Sequence, residues 1–517
     1  MAARIGIVLF YILVNVVIGY WASRRVKNVG DFFIAGRKVG PWVSAFAFGT
    51  TYFSAVLFIG YAGKLGWGFG MNTLWIAAGN VVIGSLLAWM VLAKTTRKMT
   101  YRLDAITMPE FLSARYNWPL FRNISAVVVF LFLVPYSASV YQGLAYLFQQ
   151  NLGIDYLWAV LLMSFITGVY LLMGGYLAVT ITDFFQGLIQ IFGVIIMIFL
   201  ITLPVGGVFP AISQGLQPQN TPGLFAPGPV PGWLTLASLA LITSLGVWGM
   251  PQMVQKFYSI RRVKDIVPAT VISTLFCTLI AGGAYFTGGM SHLLLKANQI
   301  PLGPDGKVNP DTIVPLMLSL HTPPWFSVLI LLIVLAASMS TLASLVLVSS
   351  AAVSVDLLGY RVKGEGADKK GVLILRLLCA LFVGLSVVLA AYKISFIVNM
   401  MAFSWGALAG FFIAPYIYGL FWKGATRAGA VAASFTGLAI AVGIPVLVQV
   451  PGIPAARSPY IPVAAALAML VPLIVMPIVS ALTKKLPAEH VAMVFAAEQG
   501  EDDDDEAVIE PIAETGS

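Results

Sequence analysis

Apolar stretches of about twenty residues, separated by short polar breaks, run along nearly the whole of this 517-residue chain. A helix that crosses a bilayer needs ~20 mainly apolar residues. The pattern predicts thirteen such spans, at 5–23, 41–63, 72–93, 119–148, 155–173, 176–203, 233–255, 266–289, 326–350, 372–392, 395–421, 428–450 and 460–483. Between Arg122 and Lys256, 133 residues hold only two charges, Asp155 and Asp183. Asp155 falls in the connector NLGID, where water solvates it. Asp183 falls in GGYLAVTITDFFQG, inside a run long enough to span. An ionisable group there costs roughly 2.5–3.5 kcal/mol, so it faces an ion pathway, a partner or water. The other reading is a carboxylate near enough to the span's end to reach the headgroups.

Two spans do not read as simple rods. Segment 41–63 clusters Gly49, Thr50, Thr51, Tyr52 and Ser54 at mid-span, and segment 233–255 brings Gly246, Gly249 and Pro251 together. Proline removes a backbone donor and clashes with the preceding turn, which predicts a break near Met250. Backbone freed at membrane depth lines a cavity or is buried in protein. The two interruptions open two runs of five helices, 41–203 and 233–421. Because five is odd, the second run starts on the opposite side of the membrane, the inverted-repeat logic of secondary transporters. Small residues easing helix packing are the alternative. Segment 326–350 adds Ser338, Ser340, Thr341 and Ser344, with Ser340 and Ser344 on one helical face. Such hydroxyls often bond back to their own helix, but they also suit a hard alkali cation.

Composition excludes an ordinary soluble protein, since 59% of residues are hydrophobic, 10% are charged and the mean hydropathy is +0.91. Charge sets the expected orientation. With the N-terminus outside, the segments on the cytoplasmic side and the adjacent helix starts hold 24 Lys and Arg against 6 on the other side. That asymmetry accounts for the +9 net charge without a nucleic-acid partner. The first span reads as a retained helix rather than a signal peptide. Both cysteines lie in spans, no His, Cys and carboxylate set has metal-ligand spacing, and no nucleophile–base pair stands out. The chain therefore reads as a non-enzyme without a cofactor. Loops 204–232 and 291–325 are either parts of an external gate or simple connections. Residues 1–483 read as a single membrane domain, and 484–517 as an acidic, disordered cytoplasmic tail too short for a signalling module.

Four strings in this order, DFFIAGRKVGPW, TMPEFLSARY, GGYLAVTITDFFQG and LAASMSTLASLVLVSSAAVSVDL, resemble the sodium:solute symporter family from Asp31 to Trp422. That family includes proline, pantothenate, sugar, sialate and monocarboxylate carriers. The resemblance implies an all-α membrane protein with a LeuT-like inverted five-helix repeat, one helix before it and two after. It implies Na⁺ as coupling ion, held by the carbonyls of Thr50, Phe53 and Ala337 and the hydroxyls of Ser340 and Thr341. Asp183 matches an acidic residue that aids sodium coupling in relatives. Some relatives carry a second sodium site there, for which Ser344 fits and Ala343 does not. Tyr136 matches a tyrosine near substrate and ion in proline carriers.

Those carriers place an Asp where this chain has Tyr52, and the string TYFSAVLFIGYAG looks instead like the pantothenate and monocarboxylate branch. The residues expected to face the solute, Ser54, Ala55, Phe58, Tyr136, Gln142, Ser244, Trp248 and Gln252, carry no charge. The positive half-helix ends of a broken helix suit a carboxylate. The expectation is thus a sodium-coupled symporter of the plasma membrane, multi-pass, importing a small carboxylate such as a monocarboxylate or pantothenate. The alternatives are a proline-like amino-acid symporter and a proton-coupled one. A passive channel would show a ring of pore charges, which is missing. No obligate protein partner is expected beyond the solute, Na⁺ and the bilayer.

Overall fold

The computed structural model describes residues 2–23, 33–225, 228–302, 308–359, 368–448, 451–455 and 458–496. Lys307, Arg457 and the acidic run from 497 onward lie outside the described residues. Helix α1 (Ala2–Ser23) precedes α2 (Pro41–Tyr52), whose Pro41 enters the first turn with φ already set for a helix. After a break the chain passes through a wide turn, Val56–Tyr61, into α3 (Ala62–Phe69). Next come α4 (Leu74–Gly79), the wide-turned Asn80–Ala93, α5 (Lys94–Arg102) and α6 (Met108–Tyr116). Two long helices follow, α7 (Pro119–Leu152) and α8 (Tyr156–Thr202). Helix α8 is two helices meeting at Gly175, whose φ of 59° is readily open only to glycine.

The second half holds α9 (Val208–Gly215), α10 (Gly232–Leu245), α11 (Pro251–Ser259), α12 (Ile266–Gly289), α13 (Ser291–Leu294) and α14 (Ile313–His321). It closes with α15 (Phe326–Ala351), α16 (Asp368–Ala391), α17 (Ile397–Phe421), α18 (Arg427–Leu447), α19 (Ile461–Leu482) and α20 (Ala488–Phe495). Among the described residues nine helical stretches are long and apolar enough to cross a membrane. The difference from the expected thirteen lies in the interrupted helices. Val56–Arg102 fuses the end of one predicted span with the next, while Gly6–Trp21, Tyr156–Gly168 and Leu377–Ala391 are shorter apolar runs.

Burial separates centre from periphery. In its apolar window α17 is 94% buried and α15 is 83% buried, against 33% for α18. A helix apolar all round and buried all round belongs at the centre of a bundle. Helix α15 packs on α8, α7 and α2, which places its hydroxyls beside the break in α2. Helices α3 and α12 cross with their backbones touching. A Cβ added at Gly66 would strike the Gly288 carbonyl, and one at Gly288 would strike that of Ala62.

Polar networks close both ends. At the end bearing the basic segments, Arg122 joins Glu110 at 2.9 Å and Asp356 at 2.9 Å. Arg115 donates to the last carbonyls of α17, at Gly419 (2.8 Å) and Trp422 (2.9 Å). The expected disorder from 484 onward does not hold for α20. Its Val494 and Phe495 are buried, and the Phe495 ring lies 4.9 Å from the Arg115 guanidinium, so apolar burial and a cation–π contact order this stretch.

At the other end, Lys64 donates to the Asn399 side chain at 2.8 Å, and Asp311 accepts the Ile397 N–H at 3.3 Å at the start of α17. Burial pushes the Asp311 carboxyl up to about 7, against the opposing pull of that N–H and of Lys64. Its native pKa exceeds its unfolded value of about 4, so between those limits the native state holds a proton the unfolded chain has released. Stability should therefore fall as pH rises through that window. Thermal unfolding in detergent at about pH 5 and about pH 8 should show this slope, and Asp311→Asn should flatten it. An unchanged slope in the variant would assign it to other groups.

Candidate functional site

Helix α2 ends because Phe53 is extended, with φ −113° and ψ 122°. Helix geometry resumes one residue after Ser54, whose hydroxyl accepts the Val56 N–H at 3.2 Å, as an N-cap does. The second break falls where the sequence predicts it. Met250 is extended, with φ −88° and ψ 117°, and Pro251 opens α11.

Buried hydroxyls of α15 meet the first break. The Thr341 Oγ1 stands 3.1 Å from the Ala337 carbonyl, 3.3 Å from that of Thr50 and 3.2 Å from that of Thr51. A hydroxyl has one proton to donate, so it can satisfy one of these three carbonyls at a time. The Ser340 hydroxyl donates to Thr50 Oγ1 at 2.8 Å, which in turn donates to the Phe46 carbonyl. Of the five expected sodium ligands, the structure brings together the groups of Thr50, Ala337, Ser340 and Thr341, with Phe53 as the extended residue of the break. Uncharged oxygens gathered in this way are of the kind that can replace part of a hard cation's hydration shell.

Deeper along α15, Ser344 contacts Thr51 Oγ1 at 3.0 Å and accepts from the Lys256 ammonium at 3.1 Å. Lys256 Nζ also lies 3.8 Å from Asp183 Oδ2, with both side chains fully buried, and 4.9 Å from the Tyr176 ring. The charge count at the level of sequence includes Lys256 among the basic residues on the cytoplasmic side. The structure corrects this, because α11 begins only at Pro251 and its last turn still lies within the bundle. The available signal was that Lys256 closes the 133-residue stretch and stands five residues beyond the helix break. Asp183 is accordingly not at the headgroups.

Beside the first break lies a cavity of about 20 Å³ bordered by Phe53, Ser54, Tyr52, Tyr61, Tyr136 and Asn80, with Thr243, Tyr285 and Met401. It has no charged side chain, and Tyr52, Phe53, Ser54, Tyr61 and Tyr136 around it are buried. Ser54 and Tyr136 were expected here. Ser244 stands one step behind, donating to Asn80 at 3.3 Å. Ala55 packs against Gly143 and donates its N–H to Ser338 at 3.1 Å. Gln142 and Gln252 are buried with amide atoms lacking hydrogen-bond partners. Phe58 borders a different cavity, with Thr287 and Val334, because the wide turn after Ala55 rotates it away. Trp248 is also misplaced by the sequence reading. It is half-buried, and its indole donates to the Ile83 carbonyl at 2.9 Å, on the flank of the bundle. A buried indole that does reach the site is that of Trp405, 6.3 Å from Tyr52 and edge-on to Tyr136 at 5.8 Å.

With this geometry in place, likeness to known proteins becomes informative. The model of the sodium:solute symporter family matches residues 32–437. The osmoregulated proline transporter OpuE of Bacillus subtilis is 29% identical over 434 residues, covering 83% of this chain and 86% of that protein. A sodium/proline symporter of Staphylococcus aureus is 28% identical over 442 residues, 84% of each chain. Among solved structures, a Na⁺-coupled sialic acid symporter in its substrate-bound outward-open state superposes with a TM-score of 0.74 at 18% identity, over 93% of this chain and 98% of that one. A nucleobase-cation-symport-1 family transporter gives 0.52 at 15% identity, over 90% of this chain and 97% of that one. At such identities these structures speak for the fold alone.

Proposed function

The chain belongs to the sodium:solute symporter family, and from that premise we propose that it imports a small zwitterionic amino acid of the proline type together with Na⁺. It is a multi-pass membrane transporter rather than an enzyme. The pantothenate and monocarboxylate branch suggested by TYFSAVLFIGYAG is not supported, since the relatives matched along more than four-fifths of the chain are named for proline. That string lies at the helix break, where backbone geometry constrains the residues whatever the solute.

The observation that carries the reading is the uncharged, tyrosine-rich cavity abutting the oxygen cluster through Phe53 and Ser54. A net anion would enter it without a full counter-charge, at a heavy desolvation cost. A zwitterion brings both charges and is neutral overall. Its carboxylate can face the half-helix N-terminus beyond a break, and its ammonium can face freed carbonyls and hydroxyls. The lack of an Asp at Tyr52 leaves those backbone groups and the tyrosine hydroxyls as the recognising set. In the proposed orientation the N-terminus is outside, and the end closed by Arg122, Glu110 and Asp356 faces the cytoplasm.

Purified protein in liposomes tests this. Labelled proline should accumulate with an inward sodium gradient and not with a pH gradient at equal sodium, and excess pantothenate or lactate should leave it unchanged. Sodium-driven uptake of pantothenate or lactate in place of proline would overturn the amino-acid reading. Uptake that follows the pH gradient alone would replace sodium with the proton.

A further inference from the structure

Four elements converge on a second polar cluster close to the first. Asp183 comes from α8, Lys256 from α11, Ser344 from α15 and Thr51 from α2. A carboxylate and two hydroxyls, all buried, form an anionic oxygen cluster of the kind a hard monovalent cation seeks. A cation already stands there, covalently attached. The Lys256 ammonium is 3.1 Å from Ser344 Oγ and 3.8 Å from Asp183 Oδ2, and its side chain is fully buried. Ser344 touches Thr51, whose carbonyl is one of the three around the Thr341 hydroxyl. The ammonium is thus linked through two side chains to the oxygen cluster at the first break.

We propose that the Lys256 ammonium is a tethered cation occupying the position a second sodium ion would otherwise take, so that this carrier moves a single Na⁺ with each solute. The proposal rests on the sodium-coupled reading above and deepens it. Asp183 and Lys256 together are neutral, which leaves no uncompensated negative charge to draw another ion. A free Na⁺ added beside the ammonium would meet like-charge repulsion in a site shielded from water. Lys256 also sits on the half-helix that starts at the Pro251 break, so its charge travels with that half-helix and is never released to either side.

The test measures sodium rather than transport. Purified parent protein at saturating ²²Na⁺ should bind about one ion per chain, with a Hill coefficient near one. Lys256→Ser shortens the side chain, supplies a hydroxyl and unmasks the Asp183 carboxylate. It should bind about two ions, and its thermal unfolding temperature should climb more steeply with added NaCl, relative to choline chloride, than the parent's, because a ligand bound only by the native state stabilises it. Adding Asp183→Asn to that variant should return binding to one ion. Lys256→Gln is the substitute if the serine variant does not fold. Two ions on the parent chain would overturn the proposal whatever the variants do, as would a single ion on a folded Lys256→Ser or Lys256→Gln protein. No sodium binding to the parent at all would instead strike at the sodium-coupled reading itself.

Discussion

Thr341→Ala should raise the sodium concentration for half-maximal uptake by roughly 5- to 150-fold, the factor that corresponds to ~1–3 kcal/mol for one unmet buried polar partner. Its hydroxyl oxygen lies within hydrogen-bonding distance of the Thr50, Thr51 and Ala337 carbonyls. Alanine would remove that oxygen, and with it the one donor available to whichever of the three carbonyls needs it when the ion has left. Ser340→Ala should act in the same direction more weakly, because Ser340 bonds the Thr50 side chain rather than a carbonyl. Solute affinity should fall at low sodium and recover at high sodium, since coupling between two ligands is reciprocal. Ser338 is a poor control, because it accepts the Ala55 N–H at the break and its loss would orphan a buried donor. Sodium titrations of proline uptake that superpose on the parent's for both variants would reduce the hydroxyls to helix packing.

Much of this site is legible in sequence because the features that create it are local. Pro251 cannot join the preceding helix, and the chain breaks one residue before it. The hydroxyls at 338, 340, 341 and 344 are close in sequence and stay close on one helix. What sequence does not reveal depends on how helices sit against one another. Lys256 at the edge of an apolar run counts among the basic residues of the cytoplasmic side, and only the convergence of α8, α11 and α15 shows it fully buried. Trp248, next to the Gly249–Pro251 break, reads as a cavity wall, yet the helix turns it toward Ile83. Trp405, far along the chain, reaches the tyrosines instead. In α20, Val494 and Phe495 precede an acidic run whose composition suggests no core, and an arginine from α6 gives them one.

Asp183→Asn should nearly abolish sodium-driven uptake at ordinary sodium and lower the thermal unfolding temperature. The amide keeps the shape of the carboxylate and removes its charge, leaving the Lys256 ammonium buried without an opposite charge. Breaking a buried pair in this way costs ~3–5 kcal/mol. The unpaired ammonium also repels the ion. In a buried site shielded from water that like-charge repulsion should lower the apparent sodium affinity. Lys256→Met should shift the sodium requirement the other way, because the bare carboxylate attracts cations. The two signs are separable from simple misfolding by the double variant. Asp183→Asn with Lys256→Met restores neutrality with two uncharged side chains, which in a buried site often recovers the stability that either single change loses. Its unfolding temperature and sodium titration should both lie near the parent's. A double variant as impaired as Asp183→Asn alone would mean that the carboxylate itself contacts the transported ion. An Asp183→Asn variant with parental uptake and sodium dependence would remove the pair from the coupling machinery altogether.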